Sequence, residues 1–466
     1  MIAPQDVLLK HAWLFEGYYA QLPHKRNRDY REEYEEQEKV RLEAIREIVQ
    51  NKGEKGLWDF VKIVKFPESI TRSIVSLFDD KLTNVVLLKY KSGELTESFT
   101  ISYLTALYKK DNQRYLNWAK NFALKEDNMV VVLYAPGYIT ALADIAESSD
   151  EIKRCYWENV QVGIWTKNDT ERVVRELKNI NRYSEAIEII SSDRGNIQIP
   201  DIEIVKVLCD YITNGSVRDR HIDMYYISSI LEKLDKSEDS NVIKPLVFVE
   251  FVLFKQLEHR VDINGLRLSI ELSRSPELLM QLVELAYLPD DREVEKLDGV
   301  ALENKKLLSQ CAFHILHFGH NVVSFENEEG GFDGDYMKQY IEQLYKLAKE
   351  RKRTNVIDNI VGSILGEIPR DKNYPPTALC EILEDLNNDR VDDLIRIGIY
   401  NSRGVSVRAC SEGGDQERSI VSRFEAYKEK TKLQYPRITR IFDCLINDYK
   451  REAGEMDVDA QINDLE

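Results

Sequence analysis

Hydrophobic positions recur along this chain at steps of three and four, the period of a helix with one buried face. In REEYEEQEKVRLEAIREIVQNKG the apolar residues Leu42, Ile45, Ile48 and Val49 share a face, and Asn51-Lys52-Gly53 supplies a glycine stop. GLWDFVKIVKF and PESITRSIVSLFDD predict two further short helices. Pro67 sits just inside the second, where its missing N–H costs nothing. Tyr103, Leu104, Leu107 and Tyr108 mark the next apolar face, and residues 115–124 another. MVVVLYAP carries the valines of a strand, but an isolated strand has no partner, so it reads as a helix ending near Pro136. At the start, residues 5–19 combine His11, Trp13, Leu14, Phe15, Tyr18 and Tyr19 and predict a helix apolar over much of its circumference.

ERVVRELKNINRYSEAIEIISS is written as a helical hairpin. One helix ends near Asn181, a short polar turn follows, and a second helix starts at Ser184 and carries the small residue Ala186. IEIVKVLCDYITN, MYYISSILEKLD, KPLVFVEFVLFKQLE and SPELLMQLVELAYL continue in the same style. Successive helices fall roughly 15–20 residues apart, as in stacked antiparallel pairs. Further on, Asp335 is placed to cap DYMKQYIEQLYKLAKERKR, whose basic last turn complements the helix dipole. Tyr374-Pro375-Pro376 punctuates the chain after VIDNIVGSILGEIP. ERSIVSRFEAYKEKTKLQ and PRITRIFDCLINDYKREAGE are the last helices, leaving MDVDAQINDLE as an acidic, frayed tail.

The pattern predicts an all-α protein, an elongated α-solenoid of degenerate helical hairpins in the manner of TPR or HEAT repeats. An N-terminal helix and linker cover residues 1–30, a repeat array residues 31–330, and a C-terminal helical subdomain residues 331–466. Composition narrows the possibilities. A content of 43% hydrophobic and 31% charged residues is that of a folded chain rather than a disordered one. The formal net charge of −17 disfavours general nucleic-acid binding, which accumulates Lys and Arg. No apolar run reaches the roughly 18 residues needed to span a bilayer, and no membrane partner is expected. The N-terminus lacks the basic start of a signal peptide. Six scattered cysteines without a CxxC pair suit reduced thiols and a cytoplasmic location.

Candidate chemistry is sparse. Cys311, His314, His317 and His320 fall within CAFHILHFGH, but steps of three turn each side chain about 60° around the helix, so the four do not converge on a metal. GGFDGD lacks the alternating oxygen ligands and closing Glu of an EF-hand loop. Motifs for phosphate-binding loops, dinucleotide folds and α/β-hydrolases do not occur, so neither a metal nor a cofactor is expected.

The most site-like stretch runs over residues 397–424, IGIYNSRGVSVRACSEGGDQERSIVSRF, where the helical period stops. Arg396, Arg403, Arg408, Arg418 and Arg423 cluster there with Asn401, Ser402 and Gln416. Gly413 and Gly414 lead with Asp415 into a helix whose free N–H groups, with the guanidinium groups, suit a carboxylate or phosphate. Asp415 competes as an N-cap, and Arg418 and Glu417 suit ion pairs that fasten the loop. The stretch therefore either recognises an anionic or peptide group or locks the end of the array.

Several stretches recur together and in order: HAWLF with Leu22-Pro23, EIKRCYWENV, SPELLMQLVELAYLPDDRE, and IGIYNSRGV followed by GGDQER and RFEAYKEK. In this the chain resembles the C-terminal helical region of large, mostly uncharacterised bacterial multidomain proteins. The resemblance spans most of the chain and implies an upstream region absent from this sequence, a helical-repeat role and no catalytic residues. By analogy with bacterial proteins that join an effector or NTPase to helical repeats, it implies a sensor role, including in phage defence. The expected function is protein–protein recognition or scaffolding without catalysis. A nucleotide- or anion-binding module at residues 397–424, or local nucleic-acid binding, is the alternative.

Overall fold

Helix after helix in this chain begins on a side-chain oxygen that takes up an orphan backbone N–H. Thr96 accepts from Phe99 N at 3.2 Å, Ser149 from Ile152 N at 3.2 Å, Ser275 from Leu278 N at 3.1 Å and Asn388 from Arg390 N at 3.0 Å. The resulting computed structural model describes residues 5–17, 20, 22, 30–123, 129–163, 169–192, 199–214, 224–292, 298–318, 322–326, 331–368, 370, 374–404, 407 and 412–463. The described residues are all-helical, and their one β-contact is an isolated bridge between Glu326 and Phe332. Among them no helix is long and apolar enough to cross a membrane.

The chain divides into two compact units, Met1–Gln198 with Ser216–Asp219, and Ile199–Gly215 with Arg220–Glu466. In the first, the long helix Tyr30–Ile63 is broken at Gly53, whose φ of 67° and ψ of −165° leave helical space, as the glycine stop requires. The single helix expected over residues 5–19 is instead a short α-helix, Val7–His11, that tightens into a 3-10 turn, Ala12–Phe15. Arg41 is the physical cause: its guanidinium takes the carbonyls of Leu14 at 3.0 Å and Gly17 at 2.9 Å, so they do not continue a helical ladder. The turn drives Phe15 onto the edge of Phe60 at 5.4 Å.

The hairpin read from the sequence is present as Thr170–Asn179 and Tyr183–Ser192, joined through Asn181 at φ 62°. Its turn residue Arg182 donates to the carbonyls of Trp157 at 2.5 Å and Val160 at 2.9 Å. These lie at the end of the helix Asp150–Asn159, so one guanidinium ties the hairpin to the helix before it. The valine-rich segment is helical over Val131–Tyr134.

In the second unit, one cluster of buried side chains runs from Phe251 to Tyr449. Across the expected boundary between residues 330 and 331, Tyr340 donates to the Leu272 carbonyl at 2.7 Å. The helices Thr354–Gly366 and Asp389–Asn401 meet backbone to backbone, where a Cβ on Gly398 would stand 3.0 Å from Gly366 Cα. Two terminal assignments need correction. Asp333, not Asp335, caps the helix Gly334–Glu350, because its backbone is held extended by Phe325 and its carboxylate accepts from Tyr336 N at 2.9 Å. Over its described residues the acidic tail is helical rather than frayed, since the helix Pro436–Asn463 carries it to residue 463.

Candidate functional site

The arginine-rich stretch lies between the end of the helix Asp389–Asn401 and the start of the helix Asp415–Thr431, beside Pro436–Asn463. Acids on the last helix meet its cations. Arg396 reaches Asp448 at 2.9 Å and Arg403 reaches Glu452 at 3.3 Å. Arg403 also grips Glu417, which is only 1% exposed, and its guanidinium lies 5.6 Å over the Tyr449 ring. Arg418 bridges Asp457 at 2.8 Å and Asp415 at 2.6 Å. Tyr400 stacks on Tyr449 at 5.4 Å, which in turn stacks on Phe424 at 6.0 Å.

The helix start is occupied from within. Gly414 N donates to Asp457 Oδ1 at 2.8 Å, and that carboxylate is held below its usual range first by Arg418 and then by Gly414. Asp415 is not the N-cap; Gly414 holds that position, and Asp415 stands in the first turn paired with Arg418. Gly414 also lies against the last helix so closely that a Cβ would meet Ala453 O at 2.4 Å. Gln416 donates to the Val407 carbonyl at 3.1 Å and Glu412 at 2.8 Å. The Asn401 carbonyl accepts from Gly404 N at 3.3 Å, and Gly413 turns at φ 60°. Arg408 lies outside the described residues. The structure thus brings Arg396, Arg403, Gly413, Gly414 and Arg418 together, with the acids that neutralise them. Those acids, Asp448, Glu452 and Asp457, were missed from sequence. The first two stand four apart on the final helix, which is the signal that could have found them.

The Cys311 and histidine cluster disperses as its spacing requires. Cys311 Sγ points to the Val252 carbonyl at 3.9 Å, His314 meets Glu258 at 2.9 Å and His317 meets the Tyr287 hydroxyl at 3.2 Å. His320 lies outside the described residues. Burial pushes the thiols of Cys155, Cys209 and Cys311 up and that of Cys380 to about 12, so each is a protonated thiol rather than a nucleophilic thiolate.

A second charged centre was not legible as such. Glu250 interrupts the apolar run of the helix Ser240–Leu257 and is fully buried, with Oε2 accepting from Leu268 N at 2.6 Å. Glu250 Oε1 and Asp235 Oδ1 are both buried without a donor. A single proton held between the two carboxyl groups satisfies both oxygens. Burial first, and then the neighbouring Asp235, pushes Glu250 up to about 9. In the folded protein the proton therefore stays on above the ordinary carboxyl value of 4.5, whereas the unfolded chain releases it there. The stabilisation is complete below the unfolded value and is lost as pH rises towards the folded one, by about 1.4 kcal/mol per pH unit. Glu250→Gln removes this titration. Chemical denaturation from pH 5 to 9 is expected to show a flatter stability profile for the variant, and parallel profiles would refute the shared proton.

Compared with protein-family models, curated proteins and solved structures, the chain matches none.

Proposed function

We propose that this protein is a non-enzymatic helical-repeat module that binds a protein partner. In this reading its hairpins stack as an elongated, degenerate α-solenoid, and the chain serves as scaffold or sensor within a larger bacterial multidomain system. The observation that carries the proposal is the seam of the helix Gly299–Phe318. Val300, Leu307 and His314 follow one another at seven-residue steps and so share a stripe. At His314 the stripe meets Glu258, at the end of the helix Ser240–Leu257, while Ala312 and Ile315 are buried beside it. Towards the N-terminus it continues uncovered among the described residues, with Leu307 51% and Val300 74% exposed. A stripe that receives a helix at one end is shaped to receive another along its length.

The rival anion-binding reading of residues 397–424 loses its support because the described guanidinium groups at 396, 403 and 418 are matched by internal carboxylates. The same pairing, with the net charge of −17, disfavours a phosphate-backbone contact there.

A photo-cross-linking amino acid at position 307 is expected to form an adduct with one protein in the native cell. Titration of that purified protein should then weaken roughly tenfold or more with Val300→Asp and Leu307→Asp combined. The melting temperature should stay close to the parent, because both side chains are exposed. Absence of an adduct, adducts only to a second copy of the chain, or unchanged affinity in the double variant would each overturn the proposal.

A further inference from the structure

The helix Arg267–Arg274 starts without a cap of its own. Leu266, at its N-cap, offers no side-chain acceptor, so its first N–H groups are satisfied from elsewhere. Glu250 Oε2 accepts from Leu268 N at 2.6 Å, and the Arg267 N–H is a further donor to the Glu250 and Asp235 pair. Glu250 belongs to the helix Ser240–Leu257, and Asp235 directly follows the helix Met224–Leu234. One buried carboxyl pair thus ties both helices to the start of a third.

The far end of that third helix is held by groups that stay neutral. The Leu272 carbonyl accepts from Tyr340 at 2.7 Å and the Ser273 carbonyl from Tyr336 at 2.9 Å, while Ser273 Oγ accepts from Ser324 N at 2.8 Å. Burial pushes both tyrosine hydroxyls up, so neither ionises near neutral pH. Only the start of the helix depends on a carboxyl proton.

The surroundings favour a single charge on the pair. Arg267 is the facing cation, and its guanidinium already bridges Glu271 at 3.0 Å. Glu232 adds a negative field at Asp235. The other helices packed on Ser240–Leu257 bring thiols: Cys209 meets the Pro245 carbonyl at 3.8 Å and Cys311 the Val252 carbonyl at 3.9 Å. Burial pushes both thiols up, so they stay neutral and neither offsets a second carboxylate nor adds to it.

We infer that the Glu250 and Asp235 pair is a proton-operated latch on the helix Arg267–Arg274. With the shared proton in place the pair caps the first turn. When that proton passes to water, two like charges face each other without water around them, the carboxylates part, and the first turn opens while the far end stays fastened. The inference rests on the shared proton described above and is independent of the partner-binding reading.

The closed latch keeps its proton, whereas the opened one ionises at the ordinary carboxyl value. The ratio of closed to open should therefore fall about tenfold per pH unit between the ordinary and the raised value. Hydrogen–deuterium exchange of the full chain, resolved to single residues and referred to the intrinsic amide rate at each pH, measures this ratio. Protection of the Leu268 amide is expected to fall roughly a hundredfold from pH 6 to 8. Low urea should leave it unchanged, because a local opening exposes little surface. In Glu250→Gln the side-chain amide donates to Asp235 and its carbonyl accepts from Leu268, so protection should no longer vary with pH. Asp235→Asn should do the same and serves if the first variant folds poorly. Protection independent of pH in the parent, or an equal slope in both variants, would overturn the latch. A slope shared by the amides of Thr354–Gly366 and increased by urea would show unfolding of the whole unit, which overturns the latch and leaves the shared proton standing.

Discussion

Arg403→Ala is expected to cost about 3 kcal/mol of unfolding free energy, because it takes a guanidinium away from the buried Glu417 carboxylate. Glu417 is 1% exposed on the helix Asp415–Thr431, so water cannot replace the guanidinium. The same substitution removes the tie to Glu452 and the cation over Tyr449. Urea denaturation of the full chain measures the loss. Arg418→Ala supplies the contrast: its side chain is half-exposed and its partners Asp415 and Asp457 remain hydrated, so its midpoint should move little. Equal, small effects for both variants would show that the Arg403 clasp does not hold the fold. A docking role for this stretch would then regain its standing.

Gly414→Ala is expected to have a comparable effect, about 3 kcal/mol or more, for a steric reason. The added methyl group would lie 2.4 Å from Ala453 O and 2.6 Å from Ala453 Cα. Both are backbone atoms of a long helix and cannot turn aside as a flexible side chain would. Relief requires the helix Pro436–Asn463 to shift, which also lengthens the bond from Gly414 N to Asp457. Gly404→Ala separates contact from conformation. Gly404 has φ 69° with open space around its Cβ position, so only the left-handed backbone penalty of about 1 kcal/mol applies. Similar losses at the two glycines would mean that the close approach at Gly414 is not what closes the terminal helices.

Much of the helical content was legible because its cause is local. The step of three and four along REEYEEQEKVRLEAIREIV, the glycine stop at Gly53 and Pro67 at the start of its turn depend on neighbours within a few residues. The same locality explains the Cys311 and histidine steps, whose divergence follows from helix geometry alone. The misreadings came where a distant group intervened. Residues 5–17 bend into a 3-10 turn because Arg41 takes two of their carbonyls, and the tail stays helical where Asp457 is fastened to Gly414 and Arg418.

The sequence by itself determined the helical class, the hairpin at residues 170–192 and a break in the helical rhythm within residues 397–424, but not its bounds, since helices run up to Asn401 and on from Asp415. Only the tertiary structure decided what that stretch does to its own charges. Arg396 and Asp448 are 52 residues apart, Arg403 and Glu452 49, and Gly414 and Asp457 43. Separations of that size are bridged by helix packing, and no periodicity encodes them. Tertiary packing likewise buried Glu250 beside Asp235. A side chain's type sets what it can bond, while burial, which the chain acquires only on folding, decides whether water is there to bond it instead.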